Sequence, residues 1–255
     1  MDLGLTDRSF VVTAASSGLG RATARALVAE GAKVALVARR AEVLDEAVAE
    51  LTDLAGANHA VALTADLGDA DTPARAVDLA RNTFGRLDGA FVSVGGPPRG
   101  GVLDNTDEEW LAAFGSVFLP AVRTARAVLA VQPAPRLAFV LSTSAKVPLP
   151  TMAISNGLRP GLGVLVKQLA DEIGPAGGRA IGLMPGTILT ERIRFLHEAS
   201  GDPAAARAAA EAAIPLRRLG TPQEFGAVAA FVLSDAASYL TGSLIPVDGG
   251  AMRAL

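Results

Sequence analysis

The chain contains no cysteine. That excludes disulfides, thiolate metal ligands and a thiol nucleophile together. Histidine is nearly absent as well: the two present, His59 and His197, lie far apart and make no ligand motif, so no metal centre is expected. Only 4% of the residues are aromatic, with a single tryptophan, Trp110, and a single tyrosine, Tyr239. Nor is there an excess of positive charge. The 23 Lys and Arg against 26 Asp and Glu leave a net charge of -3, which argues against a nucleic-acid surface. Apolar runs are broken by Gly, Pro or charge before the ~18 residues that a spanning helix needs, so no membrane partner is expected. Residues Met1–Asp7 carry neither a basic nor an apolar leader region. The expectation is a soluble, cytoplasmic protein.

Half of the 255 residues are hydrophobic, mainly Ala, Val and Leu. Short apolar runs alternate with longer amphipathic stretches, the pattern of βαβ units. Strands are predicted at Phe10–Thr13, Lys33–Ala38, Ala60–Thr64, Asp88–Val94, Arg136–Leu141, Ala180–Met184 and Ser243–Val247. Their nearly continuous apolar character suits a parallel sheet covered on both faces. Thr106 with Glu109 and Thr221 with Glu224 read as capping boxes, and Pro222 suits the first helical position. Long helices are predicted over Asn105–Val131 and Ser155–Ile173. With no repeat or linker, residues 1–255 read as one α/β, doubly wound Rossmann domain with a seven-stranded parallel sheet.

The first predicted strand runs through Thr13-Ala14-Ala15-Ser16-Ser17-Gly18-Leu19-Gly20 into an Ala-rich helix. Small residues let backbone approach a pyrophosphate, and a helix N-terminus offers free N–H groups and a favourable dipole. A plain strand-to-helix turn is the competing reading. At the end of the second strand an NAD enzyme usually carries an acid for the ribose 2′-OH. Here Ala38 is followed by Arg39-Arg40, which suits the 2′-phosphate of NADP(H), although two solvated helix-start arginines would look the same.

From these motifs onward the sequence resembles the short-chain dehydrogenase/reductase family, in particular members like the 3-oxoacyl-carrier-protein reductases. The resemblance spans essentially the whole chain. Thr13–Gly20 resembles the family's Thr-Gly-x-x-x-Gly-x-Gly, with Ala14 at the first glycine. Asp66-Leu67 resembles the pair that meets the adenine, and Ser93-Val94-Gly95 falls within the family's Asn-Asn-Ala-Gly. Pro185-Gly186-Thr187-Ile188-Leu189-Thr190 resembles the Pro-Gly motif whose Ile and Thr contact the nicotinamide. Ile214–Glu224, Tyr239–Gly242 and Val247–Gly250 follow the family almost residue by residue. The resemblance implies cofactor contacts by Thr13, Ala15, Ser16, Ser17, Gly18, Leu19, Gly20, Arg39, Arg40, Asp66, Leu67, Ser93, Gly95, Pro185, Gly186, Ile188 and Thr190. It also implies a substrate lid over about 187–215 and a homotetramer, or homodimer, built through the long helices.

The catalytic positions depart from the pattern. The resemblance sets the family's Tyr-x-x-x-Lys on Ser155-Asn156-Gly157-Leu158-Arg159, its catalytic serine on Ser142 and its helix asparagine on Val117. Serine is a weaker acid than tyrosine and too short to reach the same point. Arginine can hold the nicotinamide ribose but does not relay protons. Ser142, Ser155, Arg159 and Lys146 are therefore the candidate catalytic residues, with Lys146 as a replacement proton donor or an anion-holding charge. Its alternative is a solvated loop lysine. Arg99, in the Gly/Pro loop after the fourth strand, could meet an anion or lie at a solvated tip. Glu191–Glu198 reads as an amphipathic helix that leaves His197 exposed, and Ile193, Phe195, Leu196 and the nearby arginines hint at a small-molecule substrate, moderately apolar and anionic. The leading expectation is an NADPH-dependent carbonyl or ketoacyl reductase with an atypical proton donor. The alternatives are a non-redox lyase or isomerase, or a non-catalytic NADP(H)-binding protein, on the same fold.

Overall fold

The computed structural model describes residues 2–254. Seven strands, β1 (Ser9–Thr13), β2 (Lys33–Ala38), β3 (Ala60–Thr64), β4 (Gly89–Val92), β5 (Arg136–Val140), β6 (Arg179–Pro185) and β7 (Leu244–Val247), form one sheet in the order β3-β2-β1-β4-β5-β6-β7. Every neighbouring pair is parallel. The order reverses between β1 and β4, and the crevice outside the carboxyl ends at such a switch point is where doubly wound sheets bind ligands.

Helices cover both faces. On one lie α1 (Gly18–Ala29), α2 (Ala41–Ala55) and α9 (Pro222–Leu233), burying Leu27, Val28, Leu44, Phe225 and Leu233 with the strand residues Phe10, Val12 and Phe91. On the other lie α3 (Thr72–Phe84), α4 (Asp107–Ala113), α5 (Leu119–Leu129) and α6 (Ala153–Ile173), with Val77, Val117, Ala121, Leu162 and Val166 against Val11, Val37 and Val92. The strands are apolar on both sides because both sides are covered. Both capping boxes form, at Thr106 and Thr221.

The structure differs from the sequence reading in several details. The fourth strand is shorter than Asp88–Val94: past Val92, the Ser93 N–H leaves the ladder and donates to Thr13 Oγ1 at 2.8 Å. The helix expected over Asn105–Val131 starts after its Thr106 cap, ends at Leu129 and is interrupted by a π-helical segment, Phe114–Phe118, where Phe114 stacks on Phe118 at 4.9 Å between centroids. By length and apolarity that run, Asp107–Leu129, matches a membrane span, contrary to the reading that no such run exists. Its apolar side is explained by Val117, Ala121 and Val128 buried against the sheet. Finally, α6 begins two residues before Ser155 and continues through Pro160, held by its buried face of Ile154, Leu162, Val166 and Ala170.

The segment after β6 holds α7 (Glu191–Glu198) and α8 (Pro203–Ala213), neither with a buried residue. It is anchored where Leu189 N–H donates to Gly220 O and Gly220 N–H to Thr187 O.

Candidate active site

The phosphate turn begins with a strained residue. Ala14 has a φ of 49°, a conformation that favours glycine, and Ala15 N–H donates to Val37 O across the β1–β2 register. Gly20 has no room for a side chain, since a Cβ there would lie 2.4 Å from Ala14 O. At the start of α1, Ser17 is extended and makes no side-chain cap, so the first-turn N–H groups are left to another acceptor. Gly18 faces Thr190, whose methyl would lie 3.4 Å from an added Cβ. An uncapped helix start beside a bare glycine is chemistry that fits a pyrophosphate.

Other cofactor candidates line the same edge. Arg39 is 78% exposed with only a loose 3.8 Å pairing to Asp66, and Arg40 lies 3.9 Å from Glu191. Both guanidiniums stand available to a phosphate. Asp66 turns one carboxylate oxygen to Gly68 N–H, and Leu67 packs against the core. Thr13 is buried and donates to Ser93 O at 2.5 Å, fastening the ends of β1 and β4. Pro185 ends β6, Gly186 fits closely against Asp248, Ile188 is buried, and Thr190 caps α7 by accepting from Ile193 N–H.

The catalytic candidates gather at the carboxyl ends of β4 and β5. Ser142 caps a single 3₁₀ turn, Thr143–Ala145, with its Oγ accepting from Ser144 N–H at 3.1 Å. The bond leaves the Ser142 hydroxyl proton for another acceptor. Ser155 is only 2% exposed, and its Oγ lies 2.9 Å from Ser144 Oγ. Arg159 is 5% exposed: its Nη1 donates to Val140 O at 2.7 Å and its Nη2 to Gly95 O at 3.3 Å, while its buried Nε has no partner. Burial, reinforced by the charge of Arg192, pulls Arg159 down to about 10, so it remains a cation at neutral pH. Lys146 is exposed at the end of the 3₁₀ turn. Its loop is drawn onto α6 by Asn156, whose side chain exchanges two hydrogen bonds with the Leu149 backbone.

Outside this cluster, Arg99 is exposed and donates to Thr151 Oγ1 at 3.4 Å, and His197 is half-buried rather than exposed. Trp110 and Phe118 lie against Gly157 and Gly161 of α6, as helix–helix contacts. Sequence reasoning gave Asn156 no role, placed Ser144 only beside Ser142, and counted Arg192 only among the arginines near the predicted helix Glu191–Glu198. Ser144 and Asn156 lie beside Ser142 and Ser155 in the chain, but only the packing of the loop on α6 joins them.

Comparison with known proteins agrees with this fold. Residues 13–252 match a family model described as enoyl-(acyl carrier protein) reductase. Levodione reductase of Leifsonia aquatica is 32% identical, over 98% of this chain and 96% of that one. Dehydrogenase/reductase SDR family member 4 of Bos taurus is also 32% identical, over 98% and 89%. The crystal structure of L-sorbose reductase from Gluconobacter frateurii, complexed with NADPH and L-sorbose, superposes with a TM-score of 0.95 at 27% identity, covering all of both chains. The chain belongs to the short-chain dehydrogenase/reductase family, and is an oxidoreductase of the CH–OH/C=O class.

Proposed function

We propose that this oxidoreductase is an NADPH-dependent carbonyl reductase that takes its proton from a group other than a tyrosine. NADPH, when bound, supplies the hydride. The first-turn N–H groups of α1 hold the pyrophosphate, Arg39 and Arg40 the 2′-phosphate, and Arg159 the nicotinamide ribose. L-sorbose reductase, which has NADPH in its complex, supports the choice of cofactor.

One observation carries the reading of the mechanism. Ser155, at the family's tyrosine position, turns its hydroxyl inward to Ser144 and is 2% exposed. A hydroxyl so placed cannot reach a carbonyl in the crevice. Ser142 remains as hydrogen-bond donor to the carbonyl oxygen, and Lys146, on the loop clipped to α6, delivers the proton or holds the developing alkoxide. Losing a tuned general acid costs ~10²–10⁴-fold in rate, so a replacement is needed for useful turnover.

NADPH binding by calorimetry and NADPH consumption against a panel of ketones test this. Binding with turnover that Lys146→Ala lowers tenfold or more supports it. Binding without turnover points to a non-catalytic NADP(H) protein. Product formation without net cofactor change points to a lyase or isomerase.

The apolar groove between α5 and α6, lined by Ala121, Ala125, Leu129, Leu162, Leu165 and Val166, supports a homotetramer or homodimer. Light scattering that finds a stable monomer at micromolar concentration overturns this part.

A further inference from the structure

The start of α7 fans three consecutive residues along the crevice. Thr190 faces Gly18 at the phosphate turn, and Glu191 approaches Arg40 at the end of β2. Arg192 reaches the opposite way, over the loop after β4. Its guanidinium lies on Gly96, where an added Cβ would meet Nη1 at 2.0 Å. The neighbouring Gly95 carbonyl takes a hydrogen bond from Arg159. Two guanidiniums thus sit on adjacent glycines.

Among the described residues no carboxylate lies within ion-pair distance of either arginine. Arg159 is buried, has an unpartnered Nε, and feels the like charge of Arg192. Buried charges are ordinarily paired, and two like charges brought together repel. The arrangement is suited to an anion that is absent from the protein itself. The pyrophosphate side of the crevice is at Gly18, which Thr190 faces, whereas Arg192 turns the opposite way onto Gly96, so the anion at Arg192 belongs on the substrate side.

We propose that Arg192, backed by the buried charge of Arg159, recognises a carboxylate on the substrate, making the substrate class oxo acids. The proposal rests on the reductase reading above. In the reaction the carbonyl carbon gains a hydride from NADPH, the carbonyl oxygen gains a proton, and a hydroxy acid and NADP⁺ are left. The carboxylate is unchanged and serves only as a handle. Arg192 is exposed on a helix that buries no residue, so it can follow the substrate as the segment settles over the crevice. A planar guanidinium suits bidentate recognition of a carboxylate, which lysine does not reproduce.

The test is calorimetric titration with benzoate and with its neutral counterpart benzamide, on the NADP⁺-saturated protein and on the protein without cofactor. Benzoate is expected to bind at least tenfold more tightly than benzamide. Arg192→Gln should remove that preference while leaving NADPH affinity within twofold. Gly96→Ala is a second route, because its methyl displaces the guanidinium without deleting the charge, and it should also lower the preference. Equal binding of benzoate and benzamide to the parent protein overturns the proposal. So does a tenfold loss of NADPH affinity in Arg192→Gln, which would assign the arginine to the cofactor's phosphates. If the parent protein fails to bind NADPH, the reductase reading fails instead, and the cofactor-free titration still decides whether the arginines select a carboxylate.

Discussion

Asn156 holds the backbone of Leu149 by both ends of its amide: the Leu149 N–H donates to Oδ1 at 3.0 Å, and Nδ2 donates to the Leu149 carbonyl at 2.9 Å. The side chain acts as a short piece of strand, fixing the loop after the 3₁₀ turn to α6. Lys146 lies three residues before the clip, with Pro148 and Pro150 limiting the loop further. Each such bond contributes about 1 kcal/mol net. Asn156→Ala should speed hydrogen exchange at Val147 and Leu149 and lower kcat by roughly tenfold, with NADPH affinity unchanged. A variant with a loosened loop and full activity would remove Lys146 from the mechanism.

The arginine pair at the end of β2 is proposed to set the cofactor preference. Arg39 and Arg40 are both well exposed and only loosely paired, so neither is committed to a structural ion pair. NADPH should bind more tightly than NADH, and the gap should narrow as salt rises. Arg39→Asp should reverse the order by repelling the 2′-phosphate and accepting the ribose hydroxyl. Equal affinities for the two cofactors in the parent protein would contradict the assignment.

Ser155 offers a sharper test of the proposed proton donor. Its hydroxyl is buried against Ser144 Oγ, which also lies 3.4 Å from the Ser155 carbonyl. Ser155→Ala should therefore cost about 1 kcal/mol of stability and change kcat less than threefold. A loss of a hundredfold or more, without unfolding, would mean that the serine hydroxyl itself passes the proton.

Much of the architecture was legible because both faces of the sheet are covered, so each strand is an apolar run bounded by turn residues. The ends of β4 and α4 were not. Ser93 leaves the ladder for a side-chain oxygen on β1, 80 residues away in the chain, and no local pattern records that choice. The π-helical segment likewise answers to a Phe114–Phe118 stack, while the periodicity of the run stays helical. At the candidate site, the positions of the turn after β1 and of Ser142 after β5 could be read because each follows a strand directly. The burial of Ser155, the clip at Asn156 and the convergence of Arg159 with Arg192 depend on how α6, α7 and the loop after β4 pack, which a linear motif cannot express.

Ala14 carries a cost that glycine would avoid. At φ 49° its Cβ crowds the backbone, and an alanine in the left-handed region is strained by about 1–2 kcal/mol. Glycine there loses more freedom on folding, which offsets part of the gain. Ala14→Gly should raise stability by about 0.5–1 kcal/mol in denaturant titration, without changing the cofactor preference. A lower stability would mean that the methyl packs usefully enough to outweigh the strain.

The last prediction concerns the amino-end edge of the sheet, far from the site. Asp88 is 5% exposed and accepts from Arg8 at 3.0 Å, Arg86 at 2.6 and 2.8 Å, and Ser9 N–H at 2.9 Å. Burial alone would push its carboxyl up. The hydrogen bonds from Arg86, Ser9 and Arg8, together with the charge of Arg86, outweigh burial and hold it below the usual carboxylate range. Asp235 extends the network by bridging Arg8 and Arg136. A carboxyl lowered in the folded state favours folding fully above its unfolded pKa of about 3.9, and that contribution is lost as pH falls through the folded value. Asp88→Asn removes the negative charge that Arg8 and Arg86 hold and should cost about 2 kcal/mol at pH 7. The gap between variant and parent should begin to shrink as pH is lowered below about 4, where the unfolded parent takes up a proton that the folded Asp88 still resists, and should close as the folded carboxyl is protonated in turn. Urea titrations from pH 3 to pH 8 measure it directly. A gap that stays constant across that range would show that Asp88 contributes through shape and neutral hydrogen bonds, and that its charge carries none of the edge's stability.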